Sequence, residues 1–79
     1  MSNTPHTLEE EFPFAMEKLR ALKASNTRFA KLLEEYDTAN DKVHRAETRV
    51  DTVDTLVESD LRKQRAVLKD QIARMLAEA

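Results

Sequence analysis

Seventy-nine residues without cysteine or glycine limit this chain to one small domain held by packing rather than by disulfides. A chain this short usually buries too little apolar surface to be stable alone, so association with a second chain is a common solution. The 13 basic and 15 acidic residues give a net charge of −2, which excludes a strong general attraction to nucleic acid or anionic lipid.

The N-terminal residues 1–7 are polar and show no hydrophobic period, which predicts a flexible tail. Residues 8–79 are interpreted as a single helical domain. Within it, Pro13 is suited to a first helical position, because its fixed φ matches helix geometry and its missing N–H has no partner there. The sequence therefore predicts a first, short amphipathic helix at residues 13–24.

A narrow apolar stripe marks the second helix, which is predicted at residues 26–50. Its members alternate in steps of three and four: Phe29, Leu32, Tyr36, Ala39, Val43, Ala46, Val50 and Val53. That spacing is typical of a helix that packs along a partner helix. Ser25 and Asn26 are both residues favoured just before a first helical turn, and with Ser25 as the cap Ala24 and Phe29 would occupy the two positions of a hydrophobic staple.

The segment 51–55 is rich in threonine and aspartate and predicts a turn. Thr55 and Glu58 have the spacing of a capping box, which favours a new helix at residues 56–78. If the chain folds back there, residues whose numbers sum to about 105 lie opposite each other, and large apolar side chains meet at each level. An alternative stays open, because the apolar positions from Ala46 onward also fit one long continuous helix.

The predicted fold is all-α: a short N-terminal helix followed by an antiparallel, coiled-coil-like hairpin of two long helices, with two copies pairing into a bundle. The two long helices bury the apolar stripe against each other. The first helix and the outer edge of the hairpin therefore carry the apolar residues that remain for self-association or for a protein partner. These residues are Phe12, Phe14, Met16, Leu19, Leu33 and Met75. Phe14 lies off the apolar face of its helix, and an exposed phenylalanine there indicates a partner contact.

Basic side chains gather at the turn end of the predicted hairpin. This cluster, called the basic tip below, consists of Lys42, Arg45, Arg49, Arg62, Lys63 and Arg65. Such a cluster can bind the phosphates of RNA or DNA, or an acidic protein. Acidic residues are interspersed with it and no aromatic residue accompanies it, so a solvated charged face is the ordinary explanation. Nucleic-acid binding is therefore the second functional hypothesis.

The sequence offers little support for catalysis. His44 has Asp41 and Glu47 at helical spacing, a set that could ligate a metal, but no second histidine is near, and a solvated or ion-paired histidine is the ordinary interpretation. A general acid or base needs a pocket that shifts its pKa, which slender helices rarely enclose. We expect no enzyme activity, no cofactor, no metal and no small-molecule substrate.

No apolar run in the sequence is long enough to span a membrane, and residues 1–6 lack the basic and apolar regions of a signal peptide. We therefore expect a cytoplasmic protein. The leading functional hypothesis is a non-enzymatic interaction protein, a small adaptor or accessory subunit that docks on a larger assembly through an apolar helical face.

Several short motifs are similar to those of a known family. They are Phe29-Ala30-Lys31-Leu32, Glu35-Tyr36, His44-Arg45 with Glu47, Leu61-Arg62-Lys63-Gln64-Arg65, Leu68-Lys69-Asp70 and Met75-Leu76, preceded by Glu11-Phe12-Pro13. This set resembles the YdcH-like family of small bacterial proteins. The resemblance implies a short helical hairpin of unknown function and supplies no catalytic or ligand residues. Family members often carry glycine or proline in the turn, whereas residues 49–57 of this chain contain neither.

Overall fold

The computed structural model describes residues 6–48 and 55–79. The described ranges contain helices and no strand: α1 is Leu8–Glu11, α2 is Met16–Ser25, α3 is Thr27–Glu47 and α4 is Thr55–Glu78. α3 and α4 pack along each other as the two arms of a hairpin, and α2 packs against both. The prediction of an all-α helical hairpin is confirmed. None of the described helices is long and apolar enough to cross a membrane.

Two side-chain contacts define the antiparallel register of α3 against α4. Arg65 donates from Nη1 to Asn40 Oδ1 at 3.1 Å, and Arg62 Nη2 lies 3.0 Å from Glu47 Oε2. The first pair fits the register predicted from the sequence. A continuous helix over residues 27–78 would be about 78 Å long, whereas the longest dimension of the chain is 38 Å. The alternative of one long helix is therefore not favoured.

The start of α3 is set by the side chain of Asn26. Its Oδ1 accepts a hydrogen bond from the backbone N–H of Phe29 at 3.1 Å. Of the two candidate caps, Ser25 does not cap this helix, because it is the last residue of α2 and its hydroxyl donates to the carbonyl of Ala21. The extended backbone of Asn26 suits a cap, and asparagine is as effective there as serine.

The N-terminal helix differs from its prediction at 13–24. The structure has a single helical turn at α1, then a break, and α2 begins only at Met16. Thr7 starts the first turn, because its Oγ1 accepts from the backbone N–H of Glu10 at 3.3 Å. Pro13 lies in the break instead of at a first helical position, where it separates the two helices.

The connection between the hairpin arms lies largely outside the described residues. α3 ends at Glu47 rather than at residue 50, and the hydroxyl of Thr48 there donates to the carbonyl of His44 at 2.9 Å. α4 begins at Thr55, one residue before its predicted start. Three predicted features fall outside the described part of the chain. They are the rest of the turn, the seam residues Val50 and Val53, and the Thr55 side chain of the capping box.

The apolar core lies where α2 meets the end of the hairpin that is far from the turn. Its buried members are Leu19 of α2, Phe29, Leu33 and Tyr36 of α3, and Ile72 and Leu76 of α4. Among the partly buried side chains packed against them are Leu8, Phe12, Met16, Leu32, Leu68 and Met75. Burial of large side chains of this kind is the dominant favourable term in folding.

Of the six residues predicted for association, two belong to this core and three pack against it. Leu19 is 4% exposed and Leu33 is 3% exposed, so neither lies on a free edge as the sequence predicts. The physical reason is that α2 packs against both arms of the hairpin and buries one flank of it, including positions beside the seam. Phe12, Met16 and Met75 are half-buried. Phe14 is fully exposed, as expected from its position off the apolar face.

Candidate functional site

A long groove runs between α3 and α4 on the flank of the hairpin that α2 leaves uncovered. Two depressions of about 630 and 500 Å³ are both lined by Glu35 and Gln71, so together they form one continuous furrow between the helices. This furrow, called the open groove below, is lined by Arg28, Lys31, Leu32, Glu35, Asp60, Lys63, Gln64, Val67, Leu68, Gln71, Arg74 and Met75. All of these residues belong to α3 or α4.

The geometry of α4 separates the open groove from the flank that α1 covers. Lys69, whose ammonium binds Glu11 of α1 at 2.7 Å, is two residues away from both Val67 and Gln71. Two residues correspond to about 200° of rotation around a helix, so these side chains project from nearly opposite sides of α4. The hairpin therefore has one flank covered by its own chain and one flank open.

The floor of the open groove is apolar. Leu32, Leu68 and Met75 are half-buried, and they pack against the core while they line the groove. Val67 lies beside them and is 55% exposed. A contiguous apolar surface in a furrow between two helices is typical of a site that binds another helix.

The rim of the open groove is positively charged, in contrast to the acidic chain as a whole. It is lined by more cations than carboxylates. The four cations are Arg28, Lys31, Lys63 and Arg74, and the two carboxylates are Glu35 and Asp60. Within residues 6–48 and 55–79, none of these four cations forms a salt bridge, whereas Arg45, Arg62 and Lys69 each lie next to a carboxylate. Within the described residues the rim thus carries two more cations than carboxylates, and its cations are not held in salt bridges.

Two arginines of the basic tip are bound by carboxylates. Arg45 Nε lies 3.3 Å from Asp41 Oδ2, and Arg62 Nη2 lies 3.0 Å from Glu47 Oε2. Asp41 and Glu47 are also the two carboxylates that could accompany His44 in a metal site, and arginines occupy both. In the part of the chain that the structure describes, no group of three or more potential metal ligands occurs.

The other members of the basic tip lie in different surroundings. Arg65 is hydrogen-bonded to buried Asn40 inside the hairpin. Lys63 lines the open groove, and Lys42 is exposed on α3. Arg49 lies outside the described residues. The described cations of the basic tip are thus divided among salt bridges, an internal hydrogen bond and the groove.

A chain of hydrogen bonds joins the N-terminal segment to the hairpin. Tyr36, which is 0% exposed, donates its hydroxyl to the backbone carbonyl of His6 at 2.6 Å. Glu11 lies between two partners, with Oε1 2.6 Å from His6 Nδ1 and Oε2 2.7 Å from Lys69 Nζ. We call His6, Glu11, Tyr36 and Lys69 the N-terminal clamp. His6 thus contacts the hairpin, although the sequence places it in the predicted flexible tail.

The electrostatics of the N-terminal clamp keep its groups in the states that these contacts need. Hydrogen bonds from Lys69 and from His6 lower the pKa of Glu11, so its carboxylate stays charged. Burial, with a further contribution from the Glu11 charge, raises the pKa of Tyr36 to about 12, so its hydroxyl keeps the proton that it donates. His6 has a φ of 62°, a strained left-handed value that these contacts help to hold.

We expect Glu11→Gln to destabilise the protein by about 1 kcal/mol at pH 7, because the substitution removes a charge-assisted contact with a half-exposed lysine. The native pKa of Glu11 is lowered, so its contribution is complete above the ordinary carboxyl pKa of 4.5 and is lost as the pH falls through the lower native value. Urea unfolding of both proteins should therefore show a difference at pH 7 that shrinks at pH 3.

Glu9→Gln is the matched control, because Glu9 lies on the exposed side of the same helical turn. It should leave the urea midpoint nearly unchanged at both pH values. Equal losses in the two variants, or a Glu11→Gln difference that persists undiminished at pH 3, would contradict the role given to the N-terminal clamp.

The contact between Asn40 and Arg65 was not anticipated from the sequence, although the register places these residues opposite each other. Asn40 is 4% exposed, and its Oδ1 accepts from the guanidinium of Arg65. A buried amide must be hydrogen-bonded, so this pair disfavours any shift of α4 along α3. The N-terminal clamp depends on the path of the chain around Pro13, which no sequence pattern indicated.

Residues 29–76 match the family described as Protein of unknown function (DUF465). No curated protein and no solved structure matches the chain. The matched segment contains most of both arms of the hairpin and, except for Arg28, every residue that lines the open groove. YdcH-like proteins belong to this family, so the resemblance seen in the motifs is confirmed. Because the match covers more than half of its length, this chain belongs to the DUF465 family of proteins of unknown function.

Proposed function

We propose that this protein is a non-enzymatic adaptor or accessory subunit of the cytoplasm that docks on a larger assembly through the open groove. One observation carries the proposal: Leu32, Leu68 and Met75 form an apolar floor on the flank that α2 does not cover. A two-helix hairpin has two flanks along its apolar seam, and each is buried only when another element packs on it. This chain supplies such an element for one flank.

The shape of the open groove suits a helix better than a small molecule. Small-molecule sites are concave and bury most of the ligand surface. The groove instead extends along the hairpin, from Asp60 at one end to Arg28 at the other. A docked helix would place apolar side chains at intervals of three and four residues along such a furrow.

Val67→Glu tests this proposal, because Val67 is 55% exposed and its replacement changes the groove rim without placing a charge in the core. We expect tagged wild-type protein to capture a partner from its native host, detected by mass spectrometry, and the variant to lose it. Leu56→Glu is the control, since Leu56 is 78% exposed on the same helix and lies outside the groove. Retention of every partner by Val67→Glu would contradict docking through the groove, as would equal loss in the control.

We further propose that two copies of the chain pair through apolar surface outside the groove. The support is a chain of 79 residues and the fully exposed side chain of Phe14 on the outer side of the N-terminal segment. Size-exclusion chromatography with light scattering at low micromolar concentration should give the mass of a dimer. Phe14→Ala should shift it toward monomer, and a folded wild-type monomer would contradict self-association.

Nucleic-acid binding is the second candidate function. It is supported by the groove cations Arg28, Lys31, Lys63 and Arg74, which outnumber the carboxylates beside them, and opposed by the carboxylates that neutralise Arg45 and Arg62. Phosphate binding would weaken steeply and log-linearly with salt, whereas an apolar helical contact would change little. A salt titration of any captured RNA or DNA distinguishes the two functions.

A further inference from the structure

We propose, on the basis of the docking function above, that the open groove binds an acidic amphipathic helix of another protein, which completes a four-helix bundle with α2, α3 and α4. The proposal goes beyond docking as such, because it specifies the charge and the shape of the partner segment. Three observations carry it: the charge of the rim, the contacts on the covered flank, and the length of the groove.

The positive charge of the rim favours an acidic helix as the partner that binds in the groove. Four cations face two carboxylates along the groove, and no salt bridge within the described residues compensates those cations. A partner helix with carboxylates on both sides of its apolar stripe would neutralise this excess. Two copies of this chain joined groove to groove would instead bring two positive rims together, and like charges disfavour that pairing.

The covered flank of the hairpin shows the same mode of contact within this chain. There Phe12 and Leu19 pack on the core, and Glu11 forms a 2.7 Å ion pair with Lys69 of α4. The element that the hairpin accepts on that flank thus combines an apolar surface with a carboxylate at its edge. The open flank offers the complementary partners for a second element of this kind: an apolar floor, and cations such as Lys31 and Arg74.

The length of the groove sets the size of the helix. Its lining on α4 extends from Asp60 to Met75, which is about 22 Å along a helix axis. A helix of about 15 residues, or four turns, covers that length. Its apolar residues would follow the 3-4 spacing of a bundle seam, with Glu or Asp at the flanking positions.

Three synthetic peptides of about 16 residues test the proposal. The first has a leucine stripe flanked by glutamates, the second has lysines in place of the glutamates, and the third keeps the glutamates but has serines in place of the leucines. Each is titrated into the full chain and followed by fluorescence anisotropy and by NMR chemical shifts. We expect the first peptide to bind at least about tenfold more tightly than the others, with weakening at high salt. The shifts should centre on Leu32, Leu68 and Met75.

Charge reversal supplies a matched pair of variants. Arg28→Glu with Arg74→Glu should reduce binding of the acidic peptide by about tenfold and improve binding of the basic one. Lys18→Glu with Lys42→Glu produces the same change in net charge on exposed residues outside the groove. That control should keep the preference of the wild type. Circular dichroism of both variants verifies that they remain folded.

Each other outcome overturns the acidic assignment. Equal binding of the acidic and basic peptides would overturn it, as would an unchanged preference after reversal of Arg28 and Arg74, or shifts outside the groove. A dimer that Val67→Glu dissociates would identify a second copy as the occupant. Absence of binding by all three peptides also overturns the assignment. The docking function is judged separately, by whether Val67→Glu loses its captured partner while Leu56→Glu keeps it.

Discussion

Phe29→Ala should leave most of the protein unfolded at 25 °C, whereas Phe14→Ala should change the free energy of unfolding of the monomeric chain by less than about 0.5 kcal/mol. Phe29 is 0% exposed in the core between α2 and the hairpin, and Phe14 is fully exposed. Truncation of a buried phenylalanine costs about 3–5 kcal/mol. A single core of this size rarely supplies more than about 3–5 kcal/mol in total, so the loss equals most of the stability.

The two phenylalanine variants form a matched pair, because the chemical change is the same and only the burial differs. Urea unfolding followed by circular dichroism measures both. A cooperative transition for Phe29→Ala at the wild-type midpoint would show that this side chain does not hold the hairpin arms together. A large loss for Phe14→Ala that persists at concentrations where the chain is monomeric would show that this side chain packs within its own chain.

Leu19→Ala should lower the free energy of unfolding by about 2–4 kcal/mol. The reason is that Leu19 is 4% exposed and joins α2 to Phe29, Tyr36 and Ile72 in one core. Leu56→Ala makes the same substitution at a site that is 78% exposed, and it should cost less than about 0.5 kcal/mol.

Urea midpoints of the two leucine variants, measured beside the wild type, decide whether α2 is part of the core. The sequence predicts that the first helix holds the least committed apolar residues, so that a change at Leu19 would leave the hairpin intact. Similar midpoints for Leu19→Ala and Leu56→Ala would support that interpretation and contradict the observed packing.

The hairpin could be predicted from the sequence because the apolar side chains that hold its two helices together recur at regular intervals. Phe29, Tyr36 and Val43 recur at intervals of seven residues, and all three are 0% exposed in the structure. Their spacing fixes which face of α3 meets α4, and large residues on α4 lie at matching levels. The pair formed by Asn40 and Arg65 follows the same register. A narrow 3-4 pattern thus carries enough information to place two helices against each other.

The position of α2 could not be predicted by the same means. Leu33 is one residue beyond the seam residue Leu32, and the structure buries Leu33 more deeply. A third helix buries further residues of α3 on only one side of the apolar stripe. The two flanks of the hairpin offer similar apolar residues, so the sequence does not indicate which flank is covered. The choice of flank depends on the path through the break at Pro13 and on contacts such as Glu11 with Lys69.

The candidate site was predicted only in part, for the same reason. Met75 was expected on an outer apolar edge, and it lines the open groove. Leu32 and Leu68 were expected inside the seam, but one side of each faces the groove because no helix covers that flank. Lys63 was assigned to the basic tip by its place in the sequence. Side chains grouped by sequence position can project from different sides of a helix, which only the structure separates.

Docking through the open groove is tested most directly by site-specific photocrosslinking in the native host. A photoreactive phenylalanine analogue is placed at Val67 on the groove, at Leu56 outside it on the same helix, or at Arg20 on the exposed side of α2. We expect a crosslinked partner from position 67 and none from positions 56 and 20. Crosslinks from position 20 or 56 with none from position 67 would show that the partner binds another surface, and would contradict docking through the groove.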